Sequence, residues 1–168
     1  LAHETKKPAD FTVICPIATD GVRRYWRDRV KRRMEFPEVM MVLKNLKSQY
    51  PDYSIVIEET LGAKPLIQQL RREVAGVIGW PIEGRDKVAR ADAASMNHAA
   101  HNWFLPEGQA WTSDYVSSHT YFPNARHDDD VDTSTMMELY FSRRFARKRP
   151  EVVSALRPFR RSWNKLSA

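Results

Sequence analysis

Residues 53–57 read Tyr-Ser-Ile-Val-Ile and run directly into Glu58-Glu59. A β-branched, apolar stretch of this kind is the best central-strand candidate in the chain. The segments that flank it have helical spacing. Pro37 can open a helix, Val39, Leu43 and Leu46 recur along one stripe beside Met40 and Met41, and Tyr50-Pro51 closes it. After Gly62 a second helix is expected from about Pro65 to Val74, with Leu66, Ile67 and Leu70 as its stripe.

Before the first helix, Phe11–Ala18 and Val22–Val30 read as two strands joined at Thr19-Asp20-Gly21, a hairpin turn signal, with Pro16 marking a bulge or an unpaired position. After the second helix come a short strand at Val77–Ile82 and a helix capped by Asp86 and reaching about His101. The inner-face candidates of that helix are Val88, Ala91, Ala94, Met96 and Ala99. Trp103–Leu105 reads as extended, 113–120 as a brief helix, and Asp129–Phe145 as a long one. A leading hairpin followed by strand–helix alternation implies an α/β domain with a mixed sheet and helices against it.

The chain has 168 residues, enough for one domain with one substantial core, and its 42% hydrophobic and 29% charged content is that of a globular protein. No stretch approaches the ~18 apolar residues of a membrane span. Cys15 stands alone in an apolar run and is expected in the core, as fits a reducing compartment.

The net charge is +6, which raises the expectation of a polyanionic partner. Residues 23–33, RRYWRDRVKRR, hold Arg23, Arg24, Arg27, Arg29, Lys31, Arg32 and Arg33. These either line a nucleic-acid path or keep a solvated hairpin soluble. A second basic block runs from Arg143 to the C-terminus. Inside this basic chain lies an acidic knot, His127-Asp128-Asp129-Asp130-Val131-Asp132.

Acids favour a helix N-terminus, so one or two of these residues are explained by capping. Four in five positions exceed that need and repel one another. Hard cations such as Mg²⁺ or Mn²⁺ prefer oxygen ligands and would relieve the repulsion. Asp129 and Asp132 share a helix face. Glu58, at the carboxyl end of the candidate central strand, lies where open α/β sheets place ligands, and alternation sends Glu58 and Glu59 to opposite faces. Two ions about 4 Å apart, held by carboxylates from separate elements, suit cleavage of a phosphodiester.

Three segments occur in a telling order: IVIEETLGAKPLIQQLRRE at 55–73, GRDKVARA at 84–91 followed by FLPEG, and FPNARHDDDVD at 122–132. Together they resemble the C-terminal nuclease domain of the large terminase subunit of tailed bacteriophages and prophages, over roughly residues 10–140. The resemblance implies an RNase H-like fold, a mixed β-sheet with helices packed on both faces, over residues 1–145. Residues 146–168 would be a basic tail. It implies a divalent-metal-dependent endonuclease that cuts concatemeric double-stranded DNA during genome packaging.

By the same resemblance, Glu58, Asp128 and Asp129 are metal ligands in a two-ion Mg²⁺ or Mn²⁺ site, and Asp132 is a further ligand or a supporting group. His127 orients a ligand or water, or is structural. Lys87 and Arg90 match a K-x-x-R helix start that contacts phosphate or positions the acids. The implied partners are double-stranded DNA, the portal protein, the small terminase subunit and an N-terminal packaging ATPase domain. The implied setting is the cytoplasm of the infected bacterial host. No Walker A pattern occurs, so DNA translocation is not expected of this chain.

Members of the family carry an Asp in the first strand, often in a D-L-A sequence, and this chain opens Leu1-Ala2-His3. The expectation is that this Asp and its strand lie just upstream of Leu1. Asp10 and Glu4 are weaker substitutes. Another RNase H-like nuclease of the junction-resolvase or RNA-strand type, or a non-catalytic DNA- or portal-binding module, stands as an alternative.

Overall fold

The computed structural model describes residues 11–81, 86–125 and 127–146. Its first strands are β1 (Phe11–Ile14), β2 (Ile17–Thr19), β3 (Arg24–Trp26) and β4 (Val30–Arg33). Each of the two expected long strands is therefore broken once. Pro16 has no N–H for a ladder, but its carbonyl accepts from Arg27 N at 2.9 Å and holds the two bends together. β1 pairs antiparallel with β4, and β2 antiparallel with β3. The turn between β2 and β3 is the expected one. Asp20 Oδ1 accepts from Val22 N and Arg23 N, and Gly21 takes a left-handed φ of 101°.

The helix α1 (Phe36–Gln49) has Pro37 in its first turn, with the Glu38 carboxylate accepting from Glu35 N at 3.0 Å. Then come β5 (Ile55–Glu58), α2 (Lys64–Glu73), β6 (Val77–Trp80), α3 (Lys87–Ala99), β7 (Trp103–Phe104), α4 (Thr112–Thr120) and α5 (Asp129–Ala146). β5 and β6 are parallel, as are β3 and β7, so the sheet structure is mixed. It is not one continuous sheet among the described residues. The ladders are β1–β4, β2–β3–β7 and β5–β6. β5 was expected as a central strand, yet among the described residues it pairs only with β6.

Side-chain alternation along these strands divides the core in two. Ile14, Ile55, Ile57 and Val77 pack with Val39, Met40 and Leu43 of α1 and Leu70 of α2. Cys15, Val56 and Ile78 pack on the other side with Trp26, Tyr115 of α4, and Tyr140 and Phe141 of α5. Cys15 thus joins the core, and burial raises its thiol pKa well above the usual thiol range. Tyr25 and Trp26 are packing groups. Tyr25 stacks on Phe104, and Trp26 sits between Trp103 and Tyr115. Among the described residues, no helix is long and apolar enough to cross a membrane.

The expected inner face of α3 is corrected. Ala94 is buried, but Val88 is 43% and Met96 73% exposed. The inward stripe is instead Lys87, Arg90, Ala94 and Asn97, spaced by three and four residues. It is polar because it lies against α5, and the facing positions there are acids.

Two buried ion pairs tie the hairpin to α5. Arg24 grips Glu138 through Nε and Nη2, both at 3.1 Å, and Asn97 and Ser142 donate to the same carboxylate. Arg29 Nε and Nη2 reach Asp130 at 2.7 and 2.6 Å, and Lys31 Nζ reaches it at 2.7 Å. Ser118 of α4 also donates to Asp130, at 3.2 Å. These pairs fix the start of α5 relative to the hairpin, and so place the acids beside them.

Candidate functional site

Glu58 ends β5 on the side that carries Val56, facing α5. Glu59 takes the opposite side and lies over Gly79, where an added Cβ would come within 2.6 Å of Glu59 Oε1. Asp128 precedes α5, and Asp129 and Asp132 lie in its first turn. Asp128 O accepts from Asp132 N at 3.0 Å, so the helical hydrogen-bond pattern carries Asp128 and Asp132 onto one face.

Glu58, Asp129 and Asp132 line one cavity of about 470 Å³. Its walls are strands on two sides, Phe11–Ile17 and Ile55–Glu58. Val39 and Leu43 of α1 and Met136 and Met137 of α5 close the other two. β1 and β5 thus present to it the edges that β4 and β6 do not use. The acids sit at the end where β1 begins and β5 finishes.

The four acids after His127 do not act as a unit. Asp130 points away from the cavity into the Arg29–Lys31 pair. Burial alone would raise its pKa, but the hydrogen bonds and charges of these two cations outweigh that and hold it below the ordinary carboxylate value. Its fully buried carboxylate has a structural role; the sequence reading left Asp130 out of the ligand set without assigning it one.

Lys87 Nζ contacts both Asp128 and Asp132, the latter at 2.7 Å. Arg90 Nη1 reaches Glu58 Oε1 at 3.2 Å. Burial works against the Lys87 ammonium, but the two carboxylates hold its pKa above the usual value. Asp132 is raised, first by burial and then by the nearby Asp128 and Glu58 charges, with Lys87 opposing. Asp132 therefore feels the charge of both Asp128 and Glu58. Asp86 accepts from Val88 N at 2.7 Å and Ala89 N at 3.2 Å and so caps the helix that presents Lys87 and Arg90.

His127 is exposed and packs its ring edge-on to Phe11, with centroids 5.0 Å apart. The hairpin cations divide. Arg24, Arg29 and Lys31 are spent on Glu138 and Asp130, with side chains 3%, 4% and 12% exposed. They are interior counter-charges and do not form a DNA-facing surface. Arg23, Arg27, Arg32 and Arg33 remain exposed, with the Arg33 guanidinium over the Phe11 ring. Glu4, Asp10 and the basic tail from residue 147 lie outside the described residues.

The donors at the acidic end are carboxylate oxygens, which suits a hard divalent cation. Among the described residues, no three of His, Cys, Asp and Glu stand together as one ion's shell. The carboxylates are instead held by Lys87 and Arg90. The set fits such an ion in donor chemistry and in the strain of its crowded charges.

Comparison with curated proteins and with solved structures returns no significant match. A family model described as the terminase RNaseH-like domain matches residues 4–140. That span contains every described strand and all but the last six residues of α5. The chain accordingly belongs to the terminase RNase H-like domain family.

Proposed function

We propose that this domain is a divalent-metal-dependent endonuclease that cuts double-stranded DNA during phage genome packaging. The observation that carries the reading is the convergence of Glu58 with Asp129 and Asp132 at one end of one cavity. Membership of a terminase RNase H-like family supports a nuclease role in packaging. Bound Mg²⁺ or Mn²⁺ would supply an activated water and neutralise charge on the leaving oxygen.

The chain's own residues do the rest. Glu58, Asp128, Asp129 and Asp132 would hold the ions from two separate elements. Lys87 and Arg90 bring positive charge to the acids' edge, where a scissile phosphate would arrive. Arg23, Arg27, Arg32 and Arg33 are the hairpin cations left to follow the DNA backbone.

The test is cleavage of supercoiled plasmid, linear duplex, a four-way junction and an RNA–DNA hybrid in Mn²⁺. The parent chain is compared with Asp128→Asn/Asp129→Asn. Duplex cutting by the parent that is lost in the double variant is the expected result. Preferential cutting of the junction or the hybrid would assign a different nuclease class. No cutting by any form in Mn²⁺ would favour a binding module.

A further inference from the structure

We infer that Lys87 and Arg90 are built-in counter-ions, which hold the acidic site in its metal-free state and which a divalent cation must displace to enter. The inference rests on the metal-binding reading above and adds a gate to it. Both residues stand on the inward face of α3, three positions apart in its first turn. Lys87 Nζ takes two carboxylates at once, Asp128 and Asp132, and Arg90 takes Glu58. Between them they engage three of the four carboxylates that would hold an ion.

Lys87 and Arg90 together carry +2, the charge of one divalent ion, and so stand in for it at the three carboxylates that they engage. Neither cation is locked in place. The Lys87 side chain is 34% exposed, and Asp128 and Asp132 are 36% and 42% exposed, so water can reach all three during exchange. Arg90 spends one N–H on Glu58 at 3.2 Å, while its Nε is buried with no partner among the described residues. A change of partners would let this donor be satisfied.

The far end of α3 is tied down. Ala94 is buried, and Asn97 donates to the Glu138 carboxylate that Arg24 also holds. The side chains can therefore swing without the helix leaving α5. Once released, they remain at the rim of the site, positioned to take a phosphate oxygen. Lys87 and Arg90 are positioning residues that compete with the metal in the resting protein.

The experiment measures Mn²⁺ affinity from the free-ion electron paramagnetic resonance signal, with thermal unfolding in parallel, on the 168-residue chain. The variants are Lys87→Gln, Lys87→Arg, Arg90→Gln and the pair Asp128→Asn/Asp132→Asn. Removing a competing ion pair of this exposure should tighten Mn²⁺ binding about tenfold in Lys87→Gln, and less in Arg90→Gln. Lys87→Arg, which keeps the competitor, should bind as the parent does. Metal-free Lys87→Gln should melt lower and gain more from added Mn²⁺ than the parent, as expected when an ion replaces a missing counter-charge.

Equal or weaker Mn²⁺ binding in Lys87→Gln, with binding still lost in Asp128→Asn/Asp132→Asn, overturns the gate and leaves the metal site standing. Mn²⁺ binding unaffected by Asp128→Asn/Asp132→Asn, or absent from every form, overturns both.

Discussion

Asp130→Ala should cost about 3–5 kcal/mol of unfolding free energy, because it leaves Arg29 and Lys31 as uncompensated interior charges. The Asp130 side chain is fully buried, and its three cation and hydroxyl partners, Arg29, Lys31 and Ser118, lie on the hairpin or α4 rather than on its own helix. Urea unfolding followed by circular dichroism measures the loss. Asp114→Ala removes the other carboxylate that Arg29 touches, but that carboxylate is 61% exposed, so the change should cost less than about 1 kcal/mol. A loss of that small size for Asp130→Ala would mean that the pair does not anchor α5.

The same residue sets part of the acid sensitivity. The folded Asp130 pKa lies below its ordinary value. A depressed carboxylate contributes stability that is fully present above the unfolded pKa of about 3.9 and is lost as pH falls through the lower folded value. Asp130→Ala should therefore flatten the fall in stability below about pH 4 while lowering stability at neutral pH.

The second large effect concerns cleavage. Glu58→Gln should reduce Mn²⁺-dependent plasmid cutting by about a hundredfold or more, since a neutral amide at that position neither ligates as strongly nor balances the ion. Glu59→Gln should stay within about twofold. The two glutamates are neighbours in sequence and equal in chemistry, but Glu59 lies over Gly79 on the other side of the strand. A comparable loss in both variants would point to a general effect on β5. Glu59→Gln alone losing activity would move the site to the other face.

Much of the fold was legible because its signals are local. Asp20-Gly21 makes its turn, Pro37 opens α1, Asp86 caps α3, and α5 begins at Asp129 where the acids gather. Two features were not legible. Pro16 warned of a bulge, but nothing in the sequence says that its carbonyl would bond Arg27 and bend both hairpin strands. The inner face of α3 was sought as an apolar stripe, whereas it is Lys87, Arg90, Ala94 and Asn97. Hydrophobic periodicity misleads when the facing helix is acidic, because complementarity is then by charge.

The site was partly legible for the same reason. Strand alternation separates Glu58 from Glu59, and helical spacing groups Asp129 with Asp132. Both follow from backbone geometry alone. The division of labour within 127–132 does not, because Asp130 is distinguished only by Arg29 and Lys31, about a hundred residues earlier in the chain. Likewise, seven clustered cations in the hairpin look alike in sequence. Only their pairing separates Arg24, Arg29 and Lys31 from the four that stay on the surface.

Anomalous diffraction from Mn²⁺-soaked crystals addresses the central claim without relying on activity. The account predicts a peak at the carboxyl end of β5, between Glu58 and the Asp128–Asp132 face, with the Lys87 side chain withdrawn from both aspartates. Density for the ion elsewhere, with Lys87 still bridging Asp128 and Asp132 at saturating Mn²⁺, would contradict it.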